Sequence, residues 1–140
     1  MNNPDSAEIR QVSDRWLAAA GVLGALGVAL GAFGAHGLRT MLASASDAEQ
    51  RLAWWETAAR YHLFHALACA AGAWAIERSG GVRAARVSSA LFVVGVTIFS
   101  GTLYAMTLGA PRWLGAITPI GGVSLIAGWI ALAISARRAR

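Results

Sequence analysis

Long apolar stretches dominate the chain, and short polar or charged connectors separate them. The first stretch runs from about Trp16 to Ala35, the second from about Thr57 to Ile76, the third from about Ala84 to Leu108 and the fourth from about Trp113 to Ala136. A helix of about 20 residues is about 30 Å long, which is the thickness of the hydrocarbon layer of a bilayer. No aspartate, glutamate or arginine falls in the central part of any stretch. Pro119 lies within the first two turns of the fourth, where a missing N–H costs least. The pattern predicts an all-α, four-helix transmembrane bundle.

The connectors add detail. The loop over residues 36–56 contains Ser46-Asp47-Ala48-Glu49, which reads as a capping box. The second helix is therefore expected to begin near Asp47, outside the membrane, with Trp54 and Trp55 in the interfacial belt alongside Trp16 and Trp113. Residues 1–15 are expected to form a mobile cytoplasmic tail and residues 137–140 a basic one. The first stretch is too long, and its leader too acidic (Asp5, Glu8, Asp14), for a cleaved signal peptide.

Composition agrees with the pattern. The chain is 56% hydrophobic and 14% charged, against about 25% charged residues in soluble domains. A soluble fold of this size has no interior large enough for that much apolar surface, so lipid must cover the rest. All 12 basic residues are arginine. Arg10, Arg15, Arg78, Arg83, Arg86, Arg137, Arg138 and Arg140 fall on one side of the predicted topology. Arg39, Arg51 and Arg112 fall on the other, with Arg60 at its border. Arginine-rich connectors stay in the cytoplasm, so both termini are expected inside. These short clusters set topology and form no nucleic-acid stripe.

Two sets of residues invite a closer reading. Gly24, Gly27, Gly31 and Gly34 share one face of the first helix, and Gly27-Val28-Ala29-Leu30-Gly31 is a GxxxG motif. Such a face lets a neighbouring backbone approach, here expected within the bundle, with a dimer seam as the alternative. The second set is polar. His36, Tyr61, His62, His65, Tyr104 and Thr118 are carried to one outer level by the alternating helix directions. Arg39 and Glu56 lie just above them, and Glu56 has the spacing to pair with Arg60 as well.

Buried ionisable groups in a membrane are costly and frequently functional. A neutral histidine, however, is satisfied by a tyrosine or threonine on the next helix. No cofactor is expected; the alternative is a metal ion or haem held by His36, His62 and His65. Cys69 lies about 10 Å along the helix from His62, too far to share an ion with it. There is no nucleophile elbow, phosphate loop, HExxH or intramembrane carboxylate pair, so no motif indicates an enzyme.

Gly31-Ala32-Phe33-Gly34-Ala35-His36-Gly37-Leu38 resembles a signature of the YgdD-like family of small membrane proteins, a domain of unknown function. Three further stretches agree with it in order. They are Trp55-Glu56-Thr57-Ala58 with Tyr61-His62-Leu63-Phe64-His65-Ala66-Leu67, Gly101-Thr102-Leu103-Tyr104, and Leu114-Gly115-Ala116-Ile117-Thr118-Pro119-Ile120-Gly121-Gly122. The resemblance implies a four-helix protein of the bacterial inner membrane and brings no activity, substrate or catalytic residue. The functional expectation is a non-enzymatic interaction or accessory protein, in a larger membrane complex or a homo-oligomer. The alternatives are a small-molecule, lipid or quinone binder using the outer His/Tyr cluster, and an oligomeric channel or transporter.

Overall fold

A computed structural model describes residues 4–138, and they are helical with no strand among them. Helix α1 covers Pro4–Ala35, the short α2 Gly37–Met41, α3 Ala48–Arg78, α4 Arg83–Thr107 and α5 Thr118–Arg138, with a 3-10 segment at Arg112–Ala116 before α5. Neighbours in sequence are neighbours in space. α1 packs on α3, α3 on α4 and α4 on α5, while α3 touches α5 more sparsely. The first turns of α1 and the last turns of α5 lie at one end of this layered bundle, beside the end of α3 and the start of α4, and α2 with the 3-10 segment at the other.

Three helical segments are long and apolar enough to cross a membrane: Asp5–Ala35, Arg83–Thr107 and Arg112–Arg137. α3 is as long, at 31 residues, but Arg60, Tyr61, His62 and His65 lower its hydropathy, and the rest of it is rich in alanine. Its position explains that composition. Lying between α1 and α4, it buries Ala58, Ala66, Ala68, Cys69, Gly72 and Ala73 against them. Small residues let backbones approach where lipid does not reach. The outward faces of the long helices carry exposed Leu26, Leu67, Val94, Ile126 and Ile130, a surface that water would not tolerate.

The turns follow from helix-end chemistry. At the end of α3, the Gly81 N–H donates to Ile76 O (2.7 Å) and the Gly80 N–H to Glu77 O (3.3 Å). α4 ends the same way, with Ala110 N–H on Ala105 O (2.9 Å) and Gly109 N–H on Met106 O (3.2 Å). Both are Schellman closures, which need a left-handed residue after the helix. Gly80 (φ 66°) and Gly109 (φ 106°) supply it. Pro119 is the second residue of α5, where it forfeits no helical hydrogen bond. The fourth apolar stretch therefore divides into a 3-10 turn and a helix instead of running on from Trp113.

Three expectations need correcting. The leader is helical from Pro4, and Ile9 and Val12 pack beside Ala75, Ile76 and Ala85. Ser13 is buried there and donates to Ala73 O (2.9 Å). The capping box does not form, because Asp47 precedes α3 and no side chain caps it. Its carboxylate instead accepts from Arg112 (2.9 Å) and pairs with Arg51 (3.6 Å). Trp55 is not an interfacial residue but a core one, 2% exposed.

Candidate functional site

The polar residues at the α2 end form several separate pairings. His65 is 7% exposed, and both of its ring nitrogens are engaged. Nδ1 lies 2.8 Å from Tyr61 O, and the Trp129 indole N–H donates to Nε2 at 3.2 Å. A carbonyl accepts only and an indole N–H donates only, so His65 is the neutral tautomer protonated at Nδ1. No lone pair is left for a ligand.

His62, at 6% exposed, faces α1 beside Gly27. Its Nδ1 is 3.5 Å from the Tyr104 hydroxyl, and its buried Nε2 has no hydrogen-bond partner among the described residues. Tyr104 lies against Trp55, with ring centroids 4.5 Å apart. The Trp55 indole N–H donates to Leu30 O at 2.8 Å and so ties α3 to α1. Gly34 makes room for that indole, because any Cβ there would overlap it.

Other members of the predicted cluster lie apart. Tyr61 is 41% exposed and stacks on Phe99, with centroids 4.5 Å apart. Thr118 bonds Thr102 (2.8 Å), and the Thr102 hydroxyl donates to Ile98 O and Phe99 O. His36 is exposed at the start of α2. It lies about 13 Å along α1 from Gly27, the residue level with His62. The His36, His62, His65 metal set is thus not assembled. Among the described residues, no group of three His, Cys, Asp or Glu residues is placed to hold an ion. Cys69 is buried against α1, where its thiol approaches Trp16 O at 3.7 Å. Glu56 pairs with Arg39 (3.3 Å), with both side chains mostly exposed.

Sequence reasoning missed the strongest polar contact at this end. The Arg51 Nε donates to Thr107 O (2.7 Å), the last carbonyl of α4, and the Thr107 hydroxyl donates back to Arg51 O (3.1 Å). A cation at a helix C-terminus complements its dipole. Asp47 bridges Arg51 to Arg112, whose guanidinium lies 5.8 Å from the Trp54 ring centroid. Arginine counting treats Arg51 as a topology signal, and nothing in its local spacing points to Thr107.

The glycine face divides in two. Gly27 and Gly34 meet α3, at Leu63 and Trp55 respectively, whereas at Gly24 and Gly31 no atom of the described residues, beyond the chain neighbours and the helix's own nearby backbone, lies within 4 Å of where a Cβ would stand. Comparison with known proteins places these residues in context. A family model described as a protein of unknown function, DUF423, matches residues 30–122. The chain belongs to the DUF423 family.

The match runs from the end of α1 to the start of α5 and includes every residue of the outer polar set. Among relatives of this DUF423 chain is the UPF0382 membrane protein YwdK of Bacillus subtilis. It is 37% identical over 111 residues, covering 79% of this chain and 86% of that protein. The UPF0382 membrane protein SH2409 of Staphylococcus haemolyticus is 42% identical over 120 residues, covering 81% and 91%. The UPF0382 inner membrane protein YgdD of Escherichia coli is 36% identical over 119 residues, covering 85% and 86%. No solved structure matches the chain. The YgdD-like resemblance and the membrane assignment stand.

Proposed function

We propose that this chain crosses the bacterial inner membrane four times, with both termini in the cytoplasm, and acts there as a non-enzymatic accessory protein of a membrane complex. α3 supports the fourth crossing. It joins the α2 end to the opposite end while packed along both α1 and α4, and it exposes Phe64, Leu67 and Trp74 outward. The arginine excess at the termini end supports the orientation. The relative named an inner membrane protein supports the compartment.

One observation carries the functional reading: apart from His62 Nε2 and Ser89, most polar side chains between the helices are spent on the chain's own groups. Ser13, Arg51, Ser100, Ser124, Thr102 and Trp129 each reach another helix or a hydroxyl on it. Such bonds fix helix register, at about 0.6 kcal/mol each on average in membranes. A broad apolar surface remains for lipid and for other proteins. No metal or haem is proposed, since His65 has both nitrogens engaged.

The test is extraction in mild detergent of a chain tagged at its own locus. One polypeptide should co-elute at fixed stoichiometry and crosslink to the chain in intact membranes. A chain that elutes alone and crosslinks to nothing contradicts the reading.

A further inference from the structure

The α1–α3 seam is open on one side. A 710 Å³ cavity lies over Gly21, Gly24, Val28, Leu63 and Leu67, and a 280 Å³ cavity over Gly31, Arg39, Trp55, Glu56 and Arg60. Positions 21, 24, 28, 31 and 35 form one stripe of α1, and 56, 60, 63, 67 and 70 one stripe of α3. The two cavities are therefore successive parts of one groove. Gly27 and Gly34, on the adjoining stripe, are covered by α3; Gly21, Gly24 and Gly31 have open space above them. The chain packs the seam but does not fill the groove.

The mouth is charged. Arg39 pairs with Glu56 at 3.3 Å, which leaves Arg60 exposed and without an ion-pair or hydrogen-bond partner among the described residues. Two guanidinium groups and one carboxylate leave one net positive charge. From Arg60 to Ala70, the lower end of the groove on α3, is about 15 Å, half of the hydrocarbon thickness. The groove thus has a cationic head at the membrane surface and an apolar channel one leaflet deep.

We propose that this groove holds one anionic glycerophospholipid, its phosphate on Arg60 and Arg39 and an acyl chain over Gly31, Gly24 and Gly21. Guanidinium groups bind phosphate with paired, charge-assisted hydrogen bonds. A second copy of the chain fits less well. A two-fold pair about the membrane normal brings both net-positive mouths together. The site is distinct from the His/Tyr cluster, and it stands whether or not the chain has a protein partner.

The purified protein, delipidated in mild detergent, is titrated by native mass spectrometry with phosphatidylglycerol or phosphatidylcholine of the same acyl chains, and separately with inorganic phosphate. One phosphatidylglycerol should bind, about tenfold more tightly than phosphatidylcholine, and inorganic phosphate should not compete. Arg60→Gln should remove the preference and Gly31→Leu the binding. Lipid-free melting of Gly31→Leu should hold, since that Cβ meets nothing within 4 Å. Equal binding of the two lipids, a preference that survives both substitutions, or phosphate binding as tightly as phosphatidylglycerol each overturns the proposal. So does a lipid-free dimer that Gly24→Leu dissociates.

Discussion

Replacing Gly121 by alanine should destabilise the bundle far more than replacing Gly24, although both lie within long helices. At Gly121 a Cβ would overlap the Phe99 backbone nitrogen and stand 2.9 Å from its Cα. Carbon atoms prefer about 3.5–4.0 Å, so α4 and α5 would have to separate by about 1 Å. Backbone cannot rotate aside as a side chain can. The contact is reciprocal, because a Cβ on Gly95 would stand 3.1 Å from Gly121 O. Overpacking costs about 1–3 kcal/mol, and this site belongs at the upper end. Alanine returns about 1 kcal/mol of helix propensity. The net loss is about 2 kcal/mol, about 30-fold in the folded population. Gly24→Ala meets nothing within 4 Å and should be neutral or stabilising by up to about 1 kcal/mol. Reversible unfolding in mixed micelles, titrated with denaturing detergent, measures both. If the two variants unfold within about 0.5 kcal/mol of each other, the backbone contact between α4 and α5 is wrong.

Two further predictions concern polar contacts. A double-mutant cycle with His65→Leu and Trp129→Phe should give a coupling of about 0.5–1.5 kcal/mol; a coupling near zero removes the bond that sets the His65 tautomer. Arg51→Met should cost about 1.5–3 kcal/mol in the same unfolding assay, since it strips a charge-assisted bond from the end of α4. Arg39→Met, which breaks an exposed pair, should cost about 1 kcal/mol at most. The reverse order would refute the assignment of these two arginines.

What the sequence made legible follows physical range. Apolar stretches report on lipid contact, a property of each residue's own surface, so the long helices could be read directly. Charge clusters and the resemblance around Gly31–Leu38 gave the class and the family. Pairings between helices were less legible. That Thr118 meets Thr102, that Trp129 reaches His65 and that Arg51 closes α4 all depend on rotations about helix axes, which hydropathy does not encode. Trp55 looked interfacial because tryptophan is common there; Gly34, one helix away, makes the pocket that buries it. The glycine stripe was visible, but its division into a covered half and an open half needed the position of α3.

In the proposed topology α3 is the inner, fourth crossing, and polar contacts tie it to α1, α4 and α5. Single cysteines at Ser46 and Ser79, on either side of α3, in a Cys69→Ala background, test this with a membrane-impermeant thiol reagent on intact cells. Labelling of Ser46→Cys alone, with Ser79→Cys reacting only after the membrane is opened, is the predicted result. Equal labelling of both in intact cells would place the two ends of α3 on one side and contradict the account.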